Sequence, residues 1–221
     1  MKSSQERQAT RLYATSDERA IPEALKALHT GECVVFPTDT VYGVGCDLWQ
    51  PGAIAHLYWA KRRPRRMPIP VLVCAPKEVD QVAQDIPPSF EEVASRFWPG
   101  GLTLILPRRP CVPSILCAGG PTIAVRMPAH RWALKWIKSA GGALAVSSAN
   151  LSGRATATTA QEALSNLRGR VAVIIDGGEC PGGMASTIVD LTQDPPVVLR
   201  MGPLGLDDLQ KVLPRIRLHH V

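Results

Sequence analysis

Apolar residues recur along this chain in two periods, and together they predict a protein of alternating helices and strands. Spacings of three or four positions predict helices, and the short apolar runs between them predict strands that are buried in a sheet. One helix is expected from about Pro51 to Lys61, because Ile54 and Leu57 share one face and Pro64 cannot continue the helix. Strands are expected at residues 33–36, 71–74, 102–106, 122–126, 143–146, 171–175, 187–191 and 197–199.

The mixture of short strands and helices predicts the fold class. About seven short strands with helices between them indicate an α/β domain that is built on one extended sheet. The length of 221 residues suits one domain. We expect residues 1–15 to be a flexible N-terminal tail, because the chain starts with polar residues, and residues 16–221 to form the folded domain.

Charge and cysteine content narrow the classes of partner and compartment. A net charge of +6 favours acidic partners such as nucleotides or RNA, although a basic surface that only water contacts explains the charge equally well. No apolar stretch reaches about 18 residues, so we expect neither a membrane span nor a membrane partner. The six cysteines form no CxxC pair and show no metal-ligand spacing with histidine, so we expect reduced thiols in the cytoplasm.

The densest local charge is the sequence KRRPRR at residues 61–66. Its cations repel one another unless water or an anion screens them, so the cluster is a candidate phosphate site. The chain has no GxxxxGKS/T loop, and Leu48 stands where a GxGxxG fingerprint beginning at Gly43 needs its third glycine. Side-chain cations would therefore hold the phosphates, and Lys61 and Arg63 are the best candidates. An exposed basic run also fits a solvated or RNA-contacting face.

Polar residues follow two of the predicted strands at the point where each strand ends. Thr38, Asp39 and Thr40 come after the strand at 33–36, and Ser148 and Asn150 come after the strand at 143–146. Strand ends in α/β sheets are common ligand positions, although a turn with local hydroxyl-to-backbone bonds explains residues 38–40 equally well. Serine-hydrolase chemistry is disfavoured, because the chain has no GxSxG elbow.

Several segments of the chain form a set when they are taken in order. They are FPTDTVYGVG (36–45), AKRRP (60–64), FWPGGLTLIL (97–106), TIAVRMP (122–128), VSSANLSG (146–153), STIVDLT (186–192) and VLRMG (198–202). In this order they closely resemble the YrdC/Sua5 family of threonylcarbamoyl-AMP synthases, and the similarity extends from about Ala20 to Leu213. The resemblance implies a three-layer α/β twist around a mixed sheet, with a large and positively charged concave cavity.

The resemblance also assigns roles to individual residues. The family's KxR and SxN pairs fall on Lys61, Arg63, Ser148 and Asn150, which are implied to be catalytic and to bind ATP. The other implied ATP-binding positions are Thr122, Thr156 and Arg200. The implied L-threonine-binding positions are Thr40, Arg126, Ser186 and the main chain of Val146. Met67 departs from the family, whose members usually carry lysine or asparagine at that position.

The activity that the resemblance implies is the conversion of L-threonine, bicarbonate and ATP, with Mg²⁺, to L-threonylcarbamoyladenylate and pyrophosphate. The product would serve N6-threonylcarbamoyladenosine synthesis on tRNA, with separate threonylcarbamoyl transferase proteins as partners. No protein side chain is assigned to the metal. Two alternatives stay open. One is a non-catalytic protein that binds double-stranded RNA in ribosome or tRNA maturation, and the other is a carbamoyl-transfer module like the related domain of hydrogenase-maturation proteins.

Overall fold

Every strand in residues 9–219, the part of the chain that this computed structural model describes, belongs to one sheet. The strands are β1 (Arg11–Ala14), β2 (Val34–Phe36), β3 (Gly43–Cys46), β4 (Val71–Val73), β5 (Leu102–Pro107), β6 (Thr122–Arg126), β7 (Ala143–Ser148), β8 (Val173–Asp176), β9 (Thr187–Asp190), β10 (Val197–Arg200) and β11 (Arg217–Leu218). Their order across the sheet is β1-β8-β2-β3-β7-β4-β6-β5-β9-β10-β11. Parallel and antiparallel pairs both occur, so the sheet is mixed.

Helices connect the strands. The α-helices are α1 (Ala20–His29), α2 (Pro51–Lys61), α3 (Ser89–Phe97), α4 (Arg131–Ser139), α5 (Ala160–Leu167) and α6 (Leu206–Gln210), and 3₁₀ helices occur at Pro76–Gln81 and Ser114–Cys117. The predicted helix at 51–61 is confirmed at both ends as α2. It ends because Arg62 adopts a left-handed conformation, with φ at 51°, and Pro64 follows. None of the helices within residues 9–219 combines the length and the apolarity that crossing a membrane requires.

Helices cover the sheet on both faces, and this gives three layers. α1 and α4 pack on one face, where Leu28 and Trp136 share a hydrophobic core with Phe36 of β2. α2, α3, α5 and α6 pack on the opposite face, where Leu57 shares a second core with Val35 of β2. Neighbouring residues of β2 thus point into different cores, as the alternation of side chains along a strand requires.

The fold class predicted from the sequence is confirmed, but the sheet has eleven strands in the described residues rather than the seven or so expected. β3 was missed because its sequence, GVGC, is typical of a turn. Its glycines instead allow close packing across the β3–β7 pair, since a methyl group added at Gly43 would lie 2.9 Å from the side chain of Val146.

The first strand corrects the prediction that residues 1–15 form a flexible tail. β1 pairs in parallel with β8, from Arg11 opposite Val173 to Ala14 opposite Asp176, and Arg11 forms an ion pair with Glu23 of α1. Residues 1–8 of the predicted tail lie outside the described part of the chain. The strand was missed because it lies at the edge of the sheet and alternates half-buried and exposed residues, which leaves a weak apolar signal.

The face of the sheet that carries α1 and α4 is open over β5, β6 and β9. Three residues that point to this side are only half-buried: Ile105, Ala124 and Ile188. Arg126, at the end of β6, points to the same side as its β4 partner Leu72, which belongs to the core under α4. The open face therefore begins where this core ends, and Arg126 lies at the boundary.

Candidate active site at the open face of the sheet

The loop after β2 is held by the hydroxyl groups of two buried threonines. Thr38 Oγ1 accepts hydrogen bonds from the main-chain N–H groups of Thr40 and Val41, at 3.2 and 3.3 Å, and donates to Val41 O at 2.6 Å. The local-turn explanation for residues 38–40 therefore applies to Thr38. Thr40 has a second role, because its hydroxyl accepts a hydrogen bond from Arg126 at 2.8 Å.

Arg126 is fixed by three acceptors and is 6% exposed. Its Nε donates to Gly100 O at 2.8 Å, one terminal nitrogen donates to Thr40 Oγ1 at 2.8 Å, and the other donates to Asp39 Oδ1 at 2.6 Å. A guanidinium has five N–H groups, so one N–H remains on each terminal nitrogen. Burial lowers the pKa of Arg126, and the neighbouring Asp39 carboxylate opposes this shift. The group therefore keeps two donors, one on each terminal nitrogen, for the two oxygens of a carboxylate.

Ser186 lies on the same side of the sheet, at the start of β9. It is buried, and its Oγ lies 2.7 Å from Thr103 Oγ1 of β5. Arg200 of β10 donates from Nε and from a terminal nitrogen to Ser186 O, at 3.0 and 2.8 Å. Partial burial and the nearby charge of Arg126 both lower the pKa of Arg200. Two guanidinium groups and two hydroxyls thus meet at the open face.

The structure groups the predicted ATP-binding and L-threonine-binding positions differently from the family pattern. Arg200 was assigned to the nucleotide and Ser186 to threonine, yet the two residues are in direct contact. Thr122 begins β6 on the same open side and is half-buried. These positions can therefore contact one ligand that spans both assignments.

Lys61 belongs to a separate cluster at the end of α2. Its Nζ donates to Asn150 O at 2.7 Å and to Ser148 O, and lies 3.4 Å from Asn150 Oδ1. The residue is 1% exposed. Burial, followed by the charge of Arg63, lowers the pKa of Lys61 to about 7, while hydrogen bonds to oxygen favour its charged form. The structure thus brings together three of the four residues that were expected to be catalytic.

Arg63, the fourth of these residues, has its hydrogen-bond partners outside that cluster. It is half-buried, and its Nε and one terminal nitrogen donate to the carbonyl oxygens of Met67 and Pro68, at 3.1 and 2.8 Å. The departure from the family pattern at Met67 leaves these contacts intact, because they use the main chain. The side chain of Met67 is 42% exposed, and its carbonyl also accepts from the hydroxyl of Tyr58 at 2.9 Å.

The two clusters are connected through one strand pair. Gly43, three residues after Thr40, pairs with Ser148 across β3 and β7, and the Ala149 N–H donates to Tyr42 O at 2.8 Å. The main-chain N–H of Val146 is already used by Pro70 O at 2.9 Å. Half-buried Thr156 lies in the loop after Asn150 and precedes Ala157, whose carbonyl accepts from the Tyr42 N–H at 2.8 Å. The loop 37–42 therefore connects the residues around Arg126 to the cluster of Lys61.

Two features of the site were missed from the sequence, Thr103 and the loop 177–185, and Asp39 was a candidate whose pairing with Arg126 was not foreseen. A methyl group added at Gly182 would lie 2.7 Å from Asp39 O and 2.9 Å from Thr40 Cα, so this loop packs directly on residues 39 and 40. The loop is tied down where the Tyr42 hydroxyl donates to Gly178 O at 2.6 Å. The adjacent glycines at 182 and 183 were the available signal, since glycine permits close backbone approach.

A cavity of about 440 Å³ lies at the end of α2, and arginine and aromatic side chains line it. Trp59 is 56% exposed there, and the guanidinium of Arg170 lies 5.1 Å from its ring centroid. Arg65 lies 5.9 Å from the ring centroid of Tyr58. The lining residues are Ala55, Tyr58, Trp59, Arg62, Arg63, Arg65 and Arg170, which we call the arginine–tryptophan recess. Arginine and aromatic side chains without a lining carboxylate suit an anionic, stacking ligand.

No group of three or more His, Cys, Asp or Glu side chains in residues 9–219 has an arrangement that could hold a metal ion. Asp39, the carboxylate beside Arg126, is paired with that residue.

Comparison with known proteins finds a family model and several similar proteins. Residues 26–202 match the family model Sua5/YciO/YrdC, which is described as telomere recombination. The chain is 41% identical over 203 residues to threonylcarbamoyl-AMP synthase of Pyrococcus abyssi, and 36% identical over 200 residues to threonylcarbamoyl-AMP synthase of Bacillus subtilis. These matches cover 92% and 90% of the chain but 60% and 58% of the two relatives, so the chain spans about three fifths of their length.

The architecture is also similar to a solved structure. The crystal structure of P. abyssi Sua5 complexed with L-threonine superposes with a TM-score of 0.90 at 39% sequence identity. The superposition covers 95% of this chain and 62% of that one. The similarity therefore extends over nearly the whole chain, including both clusters of the candidate site.

Proposed function

The chain belongs to the Sua5/YciO/YrdC family, and we propose that it is a threonylcarbamoyl-AMP synthase that acts on L-threonine, bicarbonate and ATP. One observation carries this proposal. Arg126 is buried, is held by three acceptors, and keeps an N–H on each terminal nitrogen at the open face of the sheet. Such a fork fits the α-carboxylate of an amino acid, which the P. abyssi relative is named as binding.

The side chain of threonine has matching partners beside Arg126. The hydroxyls of Thr40, Thr103 and Ser186 are buried, and each can donate or accept a hydrogen bond. When the hydroxyl of the substrate leaves water, a hydrogen bond to one of these hydroxyls replaces the bond to water that it loses. We therefore propose threonine rather than an apolar amino acid as the substrate.

The proposed reaction needs few chemical groups from the protein. The amine of threonine adds to carbon dioxide from bicarbonate, and one carbamate oxygen then attacks the α-phosphorus of ATP while pyrophosphate leaves. Negative charge increases on the phosphoryl oxygens during this step, and cations that face those oxygens stabilise it. We assign this role to Arg63, which keeps three unused N–H groups, and to Arg200 at the open face.

Lys61 has a different role in this proposal. All its donors already meet oxygens of residues 148–150, so it holds the Ser148–Asn150 loop in place and reaches a phosphate only by exchanging one of these bonds. Ser148 and Asn150, together with Thr122 and Thr156, are proposed to contact ATP as the family pattern implies. Positioning two reactants away from water is the main contribution of the site.

Mg²⁺ is proposed to arrive with ATP, on the phosphate oxygens. The remaining partners follow from the product. We propose that threonylcarbamoyl-AMP is passed to separate transferase proteins that modify tRNA in the cytoplasm.

The test is a purified reaction. The protein is incubated with ATP, L-threonine, bicarbonate and Mg²⁺, released pyrophosphate is measured, and the adenylate is identified by mass spectrometry. Both products are expected only when all three substrates are supplied. Pyrophosphate release that continues without threonine contradicts the proposal.

A second candidate function is RNA binding, and the arginine–tryptophan recess favours it. An exposed Trp59 beside Arg62 and Arg65 offers a ring for base stacking and cations for phosphates. Trp59→Ala is expected to weaken binding of single-stranded RNA, whereas Trp49→Ala, at a tryptophan that is 43% exposed outside the recess, is not. Equal effects of the two variants would show that only diffuse charge attracts RNA.

A further inference from the structure

Asp39 lies beside Arg126 in a position that the mechanism above leaves unexplained. Its Oδ1 accepts a hydrogen bond from Arg126 at 2.6 Å, and its side chain is 16% exposed, so the carboxylate is partly open to solvent. No donor in residues 9–219 bonds to its second oxygen, Oδ2. The other titratable groups near its charge are His130, at the start of α4, and Cys180, in the loop 177–185.

The Asp39–Arg126 pair is complementary to an amino acid as a zwitterion. The α-carboxylate and the α-ammonium are joined by one carbon atom, so a ligand that binds through one places the other close by. A carboxylate that lies across the two terminal nitrogens of Arg126 brings the ammonium next to Asp39, because Asp39 is bonded to one of those nitrogens. The second oxygen of Asp39 then meets a cation, and the charges of ligand and pocket balance.

We infer that Asp39 binds the α-amino group of the amino-acid substrate and accepts the proton that this group loses when it adds to carbon dioxide. This inference rests on the proposed function and assigns a further catalytic residue to it. Asp39 was assigned no role by the family pattern, and its side chain forms the hydrogen bond that helps to fix Arg126.

The proton balance of the step is closed. Bicarbonate gives carbon dioxide and hydroxide, and hydroxide takes one proton from the ammonium to form water and the free amine. The amine nitrogen then bonds to the carbon of carbon dioxide while one C=O electron pair moves to oxygen. The second proton moves from that nitrogen to Asp39, leaving a neutral carbamate nitrogen and a carboxylate that attacks ATP.

A carboxylate suits the second transfer better than the first. A carboxylate is a much weaker base than an amine, so an ammonium group does not readily give it a proton. Bonding to carbon dioxide withdraws electrons from the nitrogen and makes its N–H far more acidic, so transfer of that proton to a carboxylate becomes favourable. Asp39 therefore holds the ammonium before the reaction and accepts a proton only after the N–C bond has formed.

The first experiment measures binding without turnover. L-threonine and its analogue with a hydroxyl in place of the α-amino group are titrated into the wild-type protein, Asp39→Asn and the control Asp80→Asn, which removes an exposed carboxylate. Asp39→Asn is expected to weaken threonine binding by about tenfold or more and to leave the analogue within about twofold. Equal weakening of both ligands, or of neither, overturns the inference, because a residue that only positions Arg126 affects both alike.

The second experiment measures turnover and keeps the test valid if Asp39→Asn is unstable. Asp39→Glu retains the charge and is expected to keep the preference for threonine over the analogue, and loss of that preference overturns the inference. With threonine saturating, pyrophosphate release by Asp39→Asn is expected to fall by about 10²-fold. If wild type and Asp39→Asn bind and convert threonine equally, the inference fails alone. If wild-type protein binds no threonine, the proposed function fails and the inference fails with it.

Discussion

The ammonium nitrogen of Lys61 lies 2.7 Å from the main-chain oxygen of Asn150, which joins the last residue of α2 to the loop after β7. Because Lys61 is 1% exposed and its ammonium group contacts only oxygens of this loop, it stabilises the loop itself. The cluster KRRPRR therefore contains at least two kinds of cation. Lys61 is part of the folded interior, whereas Arg65 and Arg66 are exposed.

Burial of Lys61 should make the free energy of unfolding increase as the pH rises above 7. Its pKa is lowered to about 7 in the folded protein from an ordinary value of 10.5, so the unfolded chain holds this proton more tightly. Below pH 7 both states are protonated and the cost of burying the charge is fully present. Between about pH 7 and pH 10 the folded state loses the proton first, so the free energy of unfolding rises with pH.

The measurement compares the wild-type protein with Lys61→Met by denaturant unfolding at several pH values. From pH 7 to pH 10, the unfolding free energy of the wild type should rise relative to that of Lys61→Met. The same titration with Lys26→Met, at an exposed site on the surface of α1, should show no such change. A difference that is constant with pH for Lys61→Met would contradict the assignment of the lowered pKa.

Arg63 and Arg65 should differ in their importance for turnover, although each substitution removes one positive charge. Arg63 fixes the carbonyls of Met67 and Pro68 and keeps N–H groups for phosphate, so Arg63→Ala should lower pyrophosphate release by about 10²-fold or more. Arg65 is exposed and lies over the ring of Tyr58, so Arg65→Ala should cost far less. Equal losses would mean that the cluster acts as a diffuse patch.

Substrate choice should follow the hydroxyl groups near Arg126. Valine has nearly the shape of threonine but leaves the buried hydroxyls of Thr103 and Ser186 without a ligand partner. The kcat/KM for valine should therefore be lower than that for threonine by about 10²-fold or more. Serine lacks only a methyl group, worth about 1 kcal/mol, and should remain a poor but measurable substrate. The check is pyrophosphate release with each amino acid, and similar rates for valine and threonine would refute hydroxyl recognition.

Gly182→Ala should disturb the amino-acid end of the site more than the nucleotide end. The added methyl group would lie 2.7 Å from Asp39 O, so either the loop 177–185 or residues 39 and 40 must move. We expect the KM for threonine to rise by about tenfold, because small displacements of positioning groups are costly. Gly52→Ala, whose added methyl group meets no atom within 4 Å, is the matched control. A rise of equal size in the KM for ATP would argue against a local effect.

Local sequence rules predicted the elements whose limits are set by one residue. α2 begins at Pro51 and ends at Lys61 because proline favours a helix start and Pro64 prevents its continuation. Threonine at 159 similarly caps α5, since its hydroxyl accepts from the Glu162 N–H. Such signals act between near neighbours, so a single sequence contains them in full.

The features that were missed depend on distant partners. The glycines of β3 are explained by Val146, roughly a hundred residues later in the chain, and β1 becomes a strand only because β8 lies beside it. Asp39 was visible as a polar residue after a strand, but its pairing with Arg126 spans 87 residues. Local patterns supplied the candidates for the site, and sheet order decided which of them meet.

The left-handed residue at the end of α2 has a consequence for how this segment can change. Arg62 turns the backbone between Lys61, whose charge is enclosed by the loop 148–150, and Arg63, which bonds to the carbonyls of residues 67 and 68. Insertion or deletion of one residue here would move an arginine into the space that fits a lysine. Single substitutions at the exposed positions 62, 65 and 66 leave the number of residues in this segment unchanged. The segment should therefore tolerate changes of side chain far better than changes of length.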